Sequence, residues 1–144
     1  MKKLARFFGL PAAERGRTVE AAVCLLAARL VLGALPFALA LKLLRVSPGN
    51  GGSGRIAAPE AQNVGRAIAR AARHVPFRAV CLQQAFAALL MLRRRNLAAT
   101  VHLGVTRGAT KGDLEAHAWS RSGDVVVTGA AVAADFMPVA AFAA

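Results

Sequence analysis

The chain has 144 residues, the size of one domain, and 56% of them are hydrophobic, ample for a core. Its formal charge is +12, from 19 Lys and Arg against 7 Asp and Glu, which suits an acidic peptide, a polyanion or anionic lipid. The basic residues spread along predicted helices with no aromatic ladder between them, so nucleic acid is not the expected partner, and two cysteines, Cys24 and Cys81, exclude a disulfide framework and make a reducing, cytoplasmic setting the expectation.

After a basic start, Leu10-Pro11-Ala12-Ala13-Glu14 opens a helix. Thr18 to Val46 is strongly apolar, and from Ala21 to Leu41 the only charge is Arg29. A run of ~20 apolar residues is long enough to cross a bilayer. Against a span stand Arg29, costly in hydrocarbon, and Gly33-Ala34-Leu35-Pro36, which breaks the segment into two halves, each too short. Positive charge at both ends also leaves orientation unspecified. The segment therefore reads as two helices packed on the domain, with membrane contact through residues 21–41 as the alternative. Glu14 and Glu20 precede an apolar run that starts late, unlike a signal peptide. In Ala-Val-Cys-Leu-Leu, Cys24 reads as a small buried hydrophobe.

Ser47-Pro48-Gly49-Asn50-Gly51-Gly52-Ser53-Gly54 is turn-forming or flexible throughout and reads as a linker. It divides the chain into an apolar helical region (1–46), a linker (47–57) and a core (58–144). Ala58 to His74 is a helix with Pro59 in its first turn; Val64, Ala67, Ile68, Ala71 and Ala72 recur at helical spacing, and Val75-Pro76-Phe77 ends it. The next helix runs from Cys81 to Arg93. Leu82, Ala85, Phe86, Leu89 and Leu90 form one buried stripe, and Arg93-Arg94-Arg95 complements the dipole of the last turn.

The period then becomes two. Ala99 to Thr106 is a half-buried strand, Arg107 to Gly112 a polar loop, Leu114 to Arg121 a second strand and Val125 to Thr128 a third, with a hairpin at Ser122-Gly123. Phe136-Met137-Pro138-Val139 fits an edge strand, where proline is tolerated. Helices followed by an antiparallel sheet define an α+β fold.

Cys81 at a helix start and His117 in a strand, 36 residues on, are the minimal equipment of a thiol nucleophile and its base. A helix N-terminus stabilises the thiolate, and its free N–H groups can also hold an oxyanion. A small buried residue at a helix start explains Cys81 equally well on position alone. His102, on the face of Thr100 and Gly104, competes with His117 for the role of base. His117 stands between the small Ala116 and Ala118, with Trp119 on its own face as a shield.

Cys81-Leu82-Gln83-Gln84-Ala85, Leu89-Leu90, Arg93-Arg94-Arg95, His102-Leu103-Gly104-Val105 and Ala116-His117-Ala118-Trp119 together resemble the lasso-peptide leader peptidases. So do Ala27-Ala28-Arg29-Leu30, Leu35-Pro36-Phe37 and Arg78-Ala79-Val80 upstream, and Val127-Thr128-Gly129 and Phe136-Met137-Pro138-Val139 downstream. The resemblance implies a transglutaminase-like, papain-related core with Cys81 as nucleophile and His117 as base; Trp119 and His102, by their place in the strands, are candidate substrate contacts, and no cofactor or metal is expected. The resemblance also implies removal of the leader from a ribosomally made precursor peptide. About fifty residues precede the linker, which suits the stand-alone form that works with a small leader-recognition protein. An ATP-dependent, asparagine-synthetase-like cyclase would then close the lasso.

The chain departs from the family at the third catalytic position. The acid that often lies twelve residues after the histidine is replaced by Gly129. A hairpin turning at Gly123 sets His117 opposite Gly129 and leaves Asp124 at the tip, roughly 20 Å away. Asp135 or a non-acidic group is left as the candidate orienter, and a Cys-His dyad retains activity without one. Gly129 also motivates a different reading, a catalytically weak binding or scaffold module of the same maturation complex. A small membrane-anchored protein and acyl transfer to an amine are the remaining alternatives.

Overall fold

The computed structural model describes residues 2–49, 54–107, 112, 114–130 and 136–143. Asn50 to Ser53 of the expected linker, Gly108 to Lys111 of the expected loop, and Asp135 lie outside the described residues. Among the described residues five helices, α1 (Lys2–Phe8), α2 (Ala12–Ala34), α3 (Phe37–Leu43), α4 (Ala58–Ala72) and α5 (Cys81–Arg94), combine with five strands. The strands are β1 (Ser47–Pro48), β2 (Thr100–Arg107), β3 (Leu114–Ser122), β4 (Val125–Thr128) and β5 (Met137–Ala143). These strands pair antiparallel, in the order β1-β5-β2-β3-β4. The α+β expectation is met.

Helix boundaries follow the local chemistry. α2 stops at Leu35, whose extended backbone (φ −114°, ψ 150°) is what the following Pro36 requires. Pro36 then caps α3. The break foreseen at Gly33–Pro36 is real, and no helix among the described residues is long and apolar enough to cross a membrane. α5 closes in a Schellman turn: Asn96 takes φ 56°, Leu97 N–H donates to the Leu92 carbonyl and Asn96 N–H to that of Arg93. α3 closes the same way, with Arg45 at φ 57°.

α5 is the centre of the molecule. It packs on α2 and α4 on one side and on β3, β4 and β2 on the other. The single stripe expected for it is too narrow: Ala87, Ala88, Met91 and Leu92 are fully buried alongside Ala85, Phe86 and Leu89, as suits a helix covered all round. β3 turns Ala118, Ser120 and Ser122 into the core, and such small side chains let α5 approach the sheet closely. Ser120 and Thr128 share a buried hydroxyl hydrogen bond of 2.8 Å.

One expectation needs correction, and two parts of the chain are more definite than the sequence shows. α2 contributes Ala21, Cys24, Leu25 and Ala28 to the same core as α4, α5 and the sheet. The expected linker is held at both ends. Ser47 and Pro48 pair with Ala143 and Phe142, and the Arg55 backbone bonds to Asn96 and Ala98. Finally, β5 runs from Met137 to Ala143 and lies inside the sheet, between β2 and β1. β1 reaches only Phe142 and Ala143, so Pro138 lies beyond its reach, where its missing N–H costs no bond to β1.

The arginines at the end of α5 do more than offset its dipole. Arg93 donates to the Leu44 carbonyl, and to that of Arg45 at 3.3 Å, at the end of α3. Arg95 grips Glu20 of α2 with two bonds of 2.9 and 2.7 Å, and Arg94 adds a third of 2.9 Å. On the neighbouring turn, Arg70 of α4 donates to the Thr18 hydroxyl at 3.0 Å, and that hydroxyl donates to the Glu14 carbonyl.

Candidate active site

Cys81 is the first residue of α5. Val80, extended at φ −78° and ψ 165°, supplies no side-chain cap, so the N–H groups of the first turn lack intrahelical carbonyl partners and are not capped by Val80. Two glutamines shape this turn from within: Gln83 Oε1 accepts from Val80 N–H at 3.4 Å, and Gln84 Nε2 donates to the Ala79 carbonyl at 2.9 Å. The turn is held by its own side chains, and the Cys81 thiol is free and half-buried.

A cleft of about 360 Å³ opens beside it. Its walls are Arg78, Ala79 and Val80 of the approach to α5, Cys81 and Gln84 of the first turn, His117 and Ala118 of β3, and Thr128 and Gly129 at the end of β4. β4 pairs only with Ser120, Arg121 and Ser122 and does not reach His117. That half of β3 therefore presents both His117 and its neighbour Ala118 to the cleft. The His117 ring packs on Phe136, centroids 5.3 Å apart. Cys81 and His117, far apart in sequence, thus line one space.

His102 and Trp119 are brought together on the sheet face that His117 shares by alternation, but neither lines the cleft. They pair across β2 and β3 and stack, with centroids 5.6 Å apart and planes 17° apart. Both belong to the face opposite Ala118 and Ser120. The Trp119 ring lies over Gly104, where an added Cβ would come within 2.6 Å of it. Burial, with Arg121 nearby, holds the His102 pKa below its ordinary value. Burial pushes the Cys24 thiol upward instead, and it lies in the α2–α5 interface, away from the Cys81 cleft.

Gly129 does not sit where an unbroken hairpin would place it. An irregularity between Ser120 and Arg121 shifts the register so that Thr128 faces Ser120. Gly129 then lies against Trp119 with φ +77°, and a Cβ there would stand 2.8 Å from Trp119 Cβ and 3.2 Å from the Ala118 carbonyl. Both backbone and space demand glycine, so an acid at this position is closed to this chain. Asp124 is in the exposed turn between β3 and β4. Among the described residues, no group of three or more His, Cys, Asp and Glu is placed to hold a metal ion.

Sequence reasoning gave no site role to the polar cleft residues Arg78, Gln84 and Thr128, although each stands in a segment that carries the resemblance. Gln84 was within reach of it, since i and i+3 share a helix face. Arg78 and Thr128 carry no such signal.

A cysteine at the start of a helix packed on an antiparallel sheet, with a histidine from the sheet in the same cleft, is an arrangement found in cysteine-protease-like folds. The chain matches the transglutaminase-like superfamily over residues 22–141 and belongs to it. The match takes in α2 from Ala22 onward, which includes Cys24, Leu25 and Ala28 of the shared core. No curated protein and no solved structure matches the chain.

Proposed function

We propose that the protein is a cysteine peptidase that removes the leader from a lasso-peptide precursor. The observation that carries this reading is the meeting of Cys81 and His117 in one cleft of a transglutaminase-like fold. Cys81 Sγ attacks the carbonyl at the leader–core junction while His117 takes the thiol proton, and the N–H groups at the start of α5 hold the oxyanion. The C–N bond breaks, His117 protonates the departing core amine, and the leader remains as a thioester on Cys81. Water, deprotonated by His117, then releases it as a free acid. A small recognition protein presents the leader, and a cyclase consumes the freed core amine. Arg78 on the cleft wall suits an acidic or carbonyl-rich segment of the leader.

The test is to mix the protein with precursor and recognition protein and follow the precursor mass. Wild type should release leader and core, whereas Cys81→Ala and His117→Ala should lose at least about a thousandfold in rate. Equal cleavage by Cys81→Ala would discard the mechanism. Gly129 favours one second reading, a scaffold of the same complex with little chemistry of its own. Binding of the recognition protein without any cleavage by wild type would select it.

A further inference from the structure

The outward face of α2 is as apolar as its inward face. Thr18, Ala21, Leu25 and Ala28 turn into the core. Val19, Val23, Leu26 and Leu30, at i, i+4, i+7 and i+11, lie on the opposite side and are 53, 61, 47 and 59% exposed. Beyond the Pro36 break, Leu39 and Leu43 of α3 are exposed as well. A helix on a protein surface normally turns polar groups to water, so a continuous apolar row marks a contact.

The charges around the row are basic except for Glu20, which lines the same groove as Val19 and Val23. The carboxylates of α2 are paired, Glu20 with Arg94 and Arg95 and Glu14 with Arg70. On one flank a groove of about 590 Å³ is shared by Val19, Val23, Arg17 and Arg94. Helical spacing puts Arg15 and Arg29 on the other flank, with the Arg29 guanidinium over the Phe77 ring, 4.9 Å from its centroid, and Lys42 and Arg45 are exposed beside Leu43. From Ala12 to Leu43 the only hydroxyl or amide side chain is Thr18, which is buried and bonded to Glu14 and Arg70. A specific protein interface carries roughly one hydrogen bond per 100–200 Å², and this face offers no neutral side chain for one. A lipid surface asks only for apolar side chains at its acyl boundary and cations at its phosphates.

We propose that α2 and α3 rest in the plane of an anionic membrane, with Val19, Val23, Leu26 and Leu30 in the acyl boundary and the flanking arginines at the phosphates. The contact is peripheral, in keeping with the absence of a membrane-spanning helix among the described residues. It does not depend on the chemistry of Cys81.

The test is co-sedimentation of the full chain with phosphatidylcholine vesicles and with mixed phosphatidylcholine–phosphatidylglycerol vesicles. Binding to the mixed vesicles should be at least about tenfold tighter and weaken with added salt. The double variant Leu26→Glu/Leu30→Glu should lose it by about tenfold or more while keeping its circular dichroism. Leu26→Ser/Leu30→Ser, a milder change, should fall between the two and keeps the test readable if the charged variant misfolds. Failure of wild type to bind mixed vesicles, or equal binding by both variants, overturns the proposal. So does a dimer in the ultracentrifuge that the same substitutions dissociate, since a second copy would then cover the row.

Discussion

At Gly129 the left-handed backbone and the contact with Trp119 act together. Gly129→Asp should destabilise the protein by about 1–3 kcal/mol and bring no gain in leader cleavage, read from urea unfolding and from the precursor assay. A gain in rate would mean that the position is open to an acid after all. His102 supplies a pH dependence. Its folded pKa lies below the ordinary ~6.5 because it is buried against Trp119 and near Arg121. The unfolded chain then binds the proton more readily, so stability is complete above about pH 6.5 and declines as pH falls toward the folded pKa. His102→Phe, which keeps a ring over Trp119, should flatten that decline in the urea midpoint. An unchanged slope would assign the effect to another group.

At the scale of elements, the join between α2 and α5 rests on Glu20. Its hydrogen bonds to Arg95, opposed in part by burial and aided by the charges of Arg95 and Arg94, hold its carboxyl below the usual carboxylate range. The stabilisation is present above the unfolded pKa of about 4.3 and is lost as pH falls through the folded value. Glu20→Gln should cost about 1–3 kcal/mol near neutral pH, and the difference from wild type should shrink in acid, measured by thermal unfolding. A constant difference across pH would remove the ion pair as the cause. This join is also where the sequence was least readable. Arg93-Arg94-Arg95 has a local explanation in the helix dipole, and only the folded chain shows that Glu20 and the carbonyls of Leu44 and Arg45 claim it. Elements with local signals, such as the Pro36 break, the start of α5 at Cys81 and the alternation in β2 and β3, were plain from the residues. The placement of β5 was not, because alternation and proline position describe a strand's faces and edge tolerance, not its neighbours.

At the scale of the whole molecule, α5 and the strands β3 and β4 set one thiol and one imidazole on a common cleft. The pair of residues was legible in the sequence; their meeting depends on β4 stopping short of His117 and on small side chains that let α5 settle onto β3. The register of this hairpin was not legible: the turn that pairs Ser122 with Val125 and the slip at Ser120 each shift the pairing by one residue, and together they move Gly129 from His117 to Trp119. The central claim is that Cys81 carries the leader as a thioester between the two halves of the reaction. The most direct measurement is the intact mass of the protein after rapid acid quenching from a mixture with precursor and recognition protein. The account predicts an adduct equal to the leader minus one water, mapped to Cys81 and absent from Cys81→Ala. Core released by wild type at the same rate after Cys81 has been fully alkylated would contradict it.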